Sequence, residues 1–229
     1  MSKIQRTPLK ERPFPDYTHT EEMLNMSSHL FGVLCTIVMM WFAVDAALQN
    51  GSKTALVSGI VYVATVFITM LGSSVYHGLP KGMPKQVMRI VDHCNIFLTI
   101  AGTYTPIMLI GVCPINPAMG WSIFAIEWGL ALIGVTLNAI DLKKYSKFSM
   151  TCYLGMGWCV IISIKDTIAA MTWPGFLWII GGGVAFTIGA VLYNLGKKKR
   201  YRHFIFHIFV LIGIVTQFIG IWKYLLMPR

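Results

Sequence analysis

His203-Phe204-Ile205-Phe206-His207 heads the last apolar run of the chain, and the reading of those five residues decides the fold. Two imidazoles four positions apart stand one turn apart on the same side of a helix. From Ile208 to Met227 the sequence is nearly all apolar. A run of roughly 20 apolar residues is what a helix needs to cross a bilayer. The stretch therefore reads as a pair of histidines entering a membrane helix. Such a pair calls for partners elsewhere in the chain.

Composition agrees. Of 229 residues, 55% are hydrophobic and only 12% charged, with a mean hydropathy of +0.64. A soluble surface carries about 25–35% charged residues. The apolar runs also exceed the roughly 9–11 residues of a barrel strand and do not alternate. The fold class is an all-α membrane protein, a bundle of seven transmembrane helices. The formal net charge of +10 sits between apolar spans, so it speaks for topology and against nucleic acid. Five scattered cysteines, with no CxxC, read as small packing residues.

The spans run about His29–Leu48, Thr54–Tyr76, Val87–Val112, Ala118–Ile140, Phe148–Ile164, Pro174–Leu195 and Arg202–Leu226. The fifth is short and stops at Lys165-Asp166. Loops are short, so 25–229 forms one membrane domain behind a polar tail, 1–24. That tail has no apolar signal-peptide core and reads as a retained segment. Pro8, Pro13 and Pro15 disfavour helix in its first half. From there Thr20 is placed to cap Glu21-Glu22 and lead into the first span. The tail and the loops after spans two, four and six hold 15 Lys and Arg, whereas the opposite side holds 4: Lys53, Lys165, Lys223 and Arg229. The positive-inside rule then places the N-terminus in the cytoplasm and the C-terminus outside. The Lys197–Arg200 run is explained by topology, with anionic-lipid binding as the sharper alternative.

Ionisable residues in membrane helices cost roughly 2.5–3.5 kcal/mol each, so their depth is informative. Span two carries Thr65, Thr69, Ser73 and His77 at a spacing of four. Span three carries Asp92, Asn95, Thr99 and Thr103 as its stripe, with His93 beside Asp92. Span one begins with Asn25 and His29. Topology brings His29, His77, Asp92, His93, His203 and His207 to one layer near the cytoplasmic face. Neutral imidazoles suit zinc, and catalytic zinc keeps three protein ligands with a fourth position open. His203 and His207 supply two ligands and His77 the third. Asn25, His29 and His93 are either partners that orient the ligands or interfacial residues. Asp92 is either a helix N-cap or a carboxylate that orients or deprotonates the attacking water. Glu127, mid-span beside Trp128, is either a buried packing acid or part of a substrate or proton path. Lys223 lies near the outer end of span seven and reads as a snorkelling lysine. Gly181-Gly182-Gly183 with Gly189, and Gly155 with Gly157, read as sites of close helix contact.

Six motifs stand in order: Glu22-Met-Leu-Asn25-Met-Ser-Ser-His29, Ser73-Ser-Val-Tyr-His77, Val91-Asp92-His93, Ala101-Gly102-Thr103-Tyr104-Thr105-Pro106, Tyr153-Leu-Gly-Met-Gly157-Trp158 and His203-Phe-Ile-Phe-His207. Together they resemble the haemolysin III family, part of the progestin and adipoQ receptor superfamily. The resemblance covers about residues 20–227. It implies seven helices with a cytoplasmic N-terminus in the plasma (inner) membrane. It also implies zinc on His77, His203 and His207, with Ser73 and Asp92 close by. Alkaline ceramidases look similar in this arrangement. The implied activity is zinc-dependent hydrolysis of a lipid amide or ester, with a membrane lipid as substrate, Asp92 managing the proton and Ser73 bonding the water or the oxyanion. The alternatives are a non-enzymatic regulator of membrane homeostasis with structural zinc, or a pore-forming cytolysin. Short loops and seven ordinary spans disfavour the cytolysin. A retinal or G-protein-coupled receptor does not fit the topology or the depth of Lys223.

Overall fold

The computed structural model describes residues 8–195 and 199–228. Lys3, Arg6, Lys197, Lys198 and Arg229, which entered the charge count, lie outside them. Every regular element among the described residues is helical: α1 His19–Asn50, α2 Lys53–Gly78, α3 Met83–Pro106, α4 Pro117–Asp141, α5 Ser146–Gly157, α6 Ile164–Leu195 and α7 Arg202–Ile221. Single π-helical stretches extend α3 through Ile107–Val112 and α7 through Trp222–Leu226. All but α5 are long and apolar enough to cross a membrane.

The cap of α1 is Thr18, not Thr20. The sequence Thr18-His-Thr-Glu21 is a capping box: the Thr18 hydroxyl accepts from Glu21 N–H, and the Glu21 carboxylate accepts from Thr18 N–H. Gly51, at φ 72°, closes α1, and Ser52 caps α2 three residues before Ala55. Asn116 caps α4, with Pro117 in its first turn.

The fifth span departs from its expected form. α5 ends at Gly157, a 3-10 turn follows at Cys159–Ile161, and Ile164 opens the next helix instead of closing this one. Lys165-Asp166 therefore sit within a helix. The Asp166 carboxylate accepts from the Asn116 side chain, 3.1 Å away at the cap of α4, and an acid suits a first helical turn. The break appears six residues after Asp166, where Thr172 at φ 63°, ψ 168° bends α6 just before Trp173-Pro174.

The two polar stripes on α2 and α3 face each other. The Thr69 hydroxyl bonds to the Asn95 carbonyl and the Thr99 hydroxyl, the Thr99 hydroxyl bonds to the Thr65 carbonyl, and the Asn95 amide donates to the Ile68 carbonyl. The Thr65, Thr69, Thr99 and Thr103 hydroxyls thus each have a partner, as a low-dielectric interior requires. α6 and α7 meet at Gly182, where an added Cβ would lie 2.8 Å from the Gly213 carbonyl oxygen and 2.3 Å from Gln217 Cγ. Gly155 and Gly157, expected to mediate contact, face open space instead, because the helix ends there.

An N-terminal strap crosses the end of the bundle where α1, α3 and α7 begin. Arg12 donates to the Ile140 carbonyl and lies 3.8 Å from the Asp141 carboxylate. Gln86 and Arg89 on α3 donate to the Arg12 and Pro13 carbonyls. This pins residues 12–13 over α3 and α4 and delivers Tyr17 to the middle of that end.

Candidate metal centre

Spacing on α7 and depth on α2 produce one cluster. His203 Nε2 lies 3.2 Å from His77 Nε2 and 3.1 Å from His207 Nε2. A ligand atom from each of the three falls within 4.8 Å of the others. His77 and His207 are 2% exposed and His203 is partly buried.

The neighbours of these rings set their tautomers. His77 Nδ1 donates to Glu22 Oε2 at 2.6 Å. His207 Nδ1 faces the Asn25 carbonyl and the Ser28 hydroxyl, each at 3.2 Å; the carbonyl can only accept, so Nδ1 carries the proton. Both Nε2 lone pairs therefore point into the cluster. His203 Nε2 lies between them and has at most one proton to donate. Converging lone pairs in a largely buried site are the donor chemistry of a metal-ion site.

The surrounding shell comes from α1 and the strap. The His29 ring stacks on His207 at 3.6 Å and 7°. Tyr17 stacks on His203 at 5.1 Å and 20° and lies 5.9 Å from His77. Burial pushes the Tyr17 hydroxyl well above the usual phenol range, so it stays protonated at physiological pH. Asn25 and His29 are buried with both polar side-chain atoms lacking a hydrogen-bond partner among the described residues, and the Ser73 hydroxyl is in the same position.

A cavity of about 200 Å³ opens beside the cluster. Ser73, Asp92, His93, His203 and His207 line it, and the rest of the wall is largely apolar, with Thr69, Thr99, Thr103, Thr187 and Gln217 set into it. Asp92 lies nine residues inside α3, whose cap is Gly82, so the N-cap reading of Asp92 is excluded. Its carboxylate is 3.6 Å from His93 Nδ1, which also faces the Arg89 carbonyl at 2.8 Å. Glu127 is fully buried outside the cavity wall, with Cys159 beside its carboxyl and Tyr104 nearby. The Tyr104 hydroxyl donates to the Gly157 carbonyl and accepts from Val160 N–H, holding the break after α5. Lys223 is exposed with its ammonium 5.7 Å over the Tyr224 ring, far along the chain from the cluster.

The residues that spacing and depth did not reveal are Glu22, Lys85 and Tyr17. Glu22 Oε1 lies 3.0 Å from Lys85 Nζ. Its available signal was weak: an acid in the first turn of a helix is already explained by the helix dipole.

Fold and site define a class: a multi-pass helical membrane protein with a buried three-histidine cluster that could hold a metal ion, set beside an apolar cavity. Residues 17–218 match the haemolysin-III related family, and the chain belongs to that family. It is 32% identical over 206 residues to Hemolysin-3 of Bacillus cereus, covering 90% of this chain and 92% of that protein. It is equally similar, 32% over 208 residues, to the Hemolysin-3 homolog of Bacillus subtilis (strain 168), covering 91% and 96%. A more distant match, 27% over 164 residues, reaches the human monocyte to macrophage differentiation factor, covering 67% and 64%. That protein belongs to the progestin and adipoQ receptor family, so the expected superfamily relation holds.

Proposed function

We propose that this protein is a zinc-dependent hydrolase of a lipid amide or ester in the plasma membrane. The observation that carries the reading is the convergence of three imidazole Nε2 atoms, two of them, on His203 and His207, beside a largely apolar cavity that Asp92 and Ser73 also line. His77, His203 and His207 would hold the ion. When bound, zinc supplies Lewis acidity, polarising a carbonyl and bringing the pKa of water to about 7. Asp92 takes the proton from the attacking water and returns it to the leaving amine or alcohol. The Ser73 hydroxyl, which has no other partner among the described residues, donates to the developing oxyanion. The apolar wall holds the acyl chain and keeps bulk water out, which strengthens each of these interactions.

The same proposal has 25–229 cross the membrane seven times, with 1–24 and the histidine layer on the cytoplasmic side and the C-terminus outside. The distribution of Lys and Arg supports this orientation. The fifth crossing is composite. Asp166 bonds to Asn116 at one end of α4, while Asp141 caps Lys143 and Lys144 N–H at the other. Residues 146–166 therefore retrace the 25-residue length of α4, about 37 Å.

The test is metal content and lipid turnover on protein purified in detergent. Wild type is expected to carry about one zinc per chain and to release fatty acid from a membrane-lipid pool. His203→Ala loses both; Asp92→Asn keeps zinc and loses about 10²–10⁴ in rate. A second reading, a non-enzymatic regulator with structural zinc, is favoured by how deeply the cluster is packed under Tyr17 and His29. Full zinc occupancy with no turnover in any lipid class selects that second reading and sinks the first.

A further inference from the structure

We infer that Glu22 is the positioning residue of the metal centre: it fixes the tautomer and the ring orientation of His77 so that Nε2 faces the ion. The inference rests on the reading of the cluster as a zinc site. It goes beyond that reading by assigning a role to the first turn of α1, which contributes no ligand.

Both oxygens of Glu22 are committed. Oε2 accepts from His77 Nδ1 at 2.6 Å, and Oε1 pairs with Lys85 Nζ at 3.0 Å. Lys85 cannot swing away. It is 2% exposed, and its ammonium also donates to the carbonyls of Tyr76, His77 and Leu79 at 3.0, 3.2 and 2.9 Å. It lies 5.0 Å over the Tyr76 ring as well. Lys85 thus closes the C-terminal end of α2, the turn that carries His77, and clamps the carboxylate that orients His77. The pairing also cancels the charge of Glu22, so the carboxylate can sit half-buried without an ion in place.

The neighbouring acid does the corresponding work for α7. Glu21 Oε1 accepts from Tyr201 N–H at 2.7 Å, two residues before His203, while Oε2 closes the capping box on Thr18. One helical turn, 18–22, therefore brackets the ligands of both α2 and α7. Carboxylate–histidine pairs of this kind raise ligand basicity and hold the ring, and losing the outer partner costs about 10–100-fold in metal affinity.

The experiment measures zinc affinity by chelator competition on full-length protein, together with the visible spectrum of the cobalt-substituted form. Variants are Glu22→Gln, which keeps shape and loses charge, and Glu22→Ala, which loses both. Thermal unfolding of the metal-free proteins checks that each is folded. The expected result is about a tenfold loss of affinity for Glu22→Gln and about a hundredfold loss for Glu22→Ala, with a weakened cobalt spectrum and little change in metal-free stability for Glu22→Gln. If wild type binds zinc and both variants stay within twofold of it, the inference is overturned and the metal site stands. If wild type takes up no zinc, the metal-site reading itself falls.

Discussion

At the residue scale, the histidine cluster is held by a contact across helices: Glu22 reaches His77 over 55 residues of chain. That pairing depends on how α1 is rotated against α2, which spacing does not display, whereas the i, i+4 spacing of His203 and His207 and the depth of His77 are properties of linear sequence. The glycines make the same point. Gly182 and Gly155 look equivalent in sequence, yet one opposes a backbone carbonyl and the other faces nothing within 4 Å. Gly182→Ala is expected to lose about 1–3 kcal/mol, because the Gly213 carbonyl and Gln217 can yield only by parting α6 from α7. Gly155→Ala is expected to be neutral or to gain up to about 1 kcal/mol from helix propensity. Unfolding of the two variants side by side in detergent, titrated with denaturant, reads the contrast; equal effects would mean that α6 and α7 are not in backbone contact at Gly182.

Helix identity at the element scale followed from long apolar runs, whereas helix ends were set by local bonds that pattern does not reveal. α1 begins at His19 because Thr18 and Glu21 exchange hydrogen bonds, a register two residues earlier than a cap at Thr20. The far end of the fifth span is set in a similar way. Lys165-Asp166 looks like a polar stop, but Asp166 finds its partner on the cap of α4 and the helix continues past it to Thr172. The Thr18 box has consequences beyond one helix end, since Glu21 also holds Tyr201 at the head of α7. Thr18→Ala should therefore cost at least the usual value of a lost N-cap, about 1 kcal/mol. Thr20→Ala should cost nothing measurable. Thermal unfolding of the two variants in the same micelle decides it; a larger loss at Thr20 would put the cap where the sequence first suggested.

For the whole molecule, the number of membrane crossings turns on α5. Twelve residues span about 18 Å as a helix, short of the roughly 30 Å hydrocarbon core. Taken alone, α5 would leave six crossings and put both termini on one side. Taken with the 3-10 turn and the first eight residues of α6, the segment is long enough, because it runs from the Lys143-Lys144 end of α4 back to Asn116. Backbone groups at the break after α5 would be costly in lipid, and the Tyr104 hydroxyl meets two of them, the Gly157 carbonyl and Val160 N–H. An interrupted crossing supported by a neighbouring helix is thus physically consistent, though hydropathy alone counts only six helices. In a cysteine-free background, single cysteines at Lys144 and Lys165 should label from opposite faces of the membrane, Lys144 from the cytoplasm. Labelling of both from the cytoplasmic side would reduce the bundle to six crossings and place the end of α7 on the same side as the histidine layer. That outcome is at odds with α7 entering at His203 on one face and reaching Leu226 23 residues later, about 35 Å away, on the other.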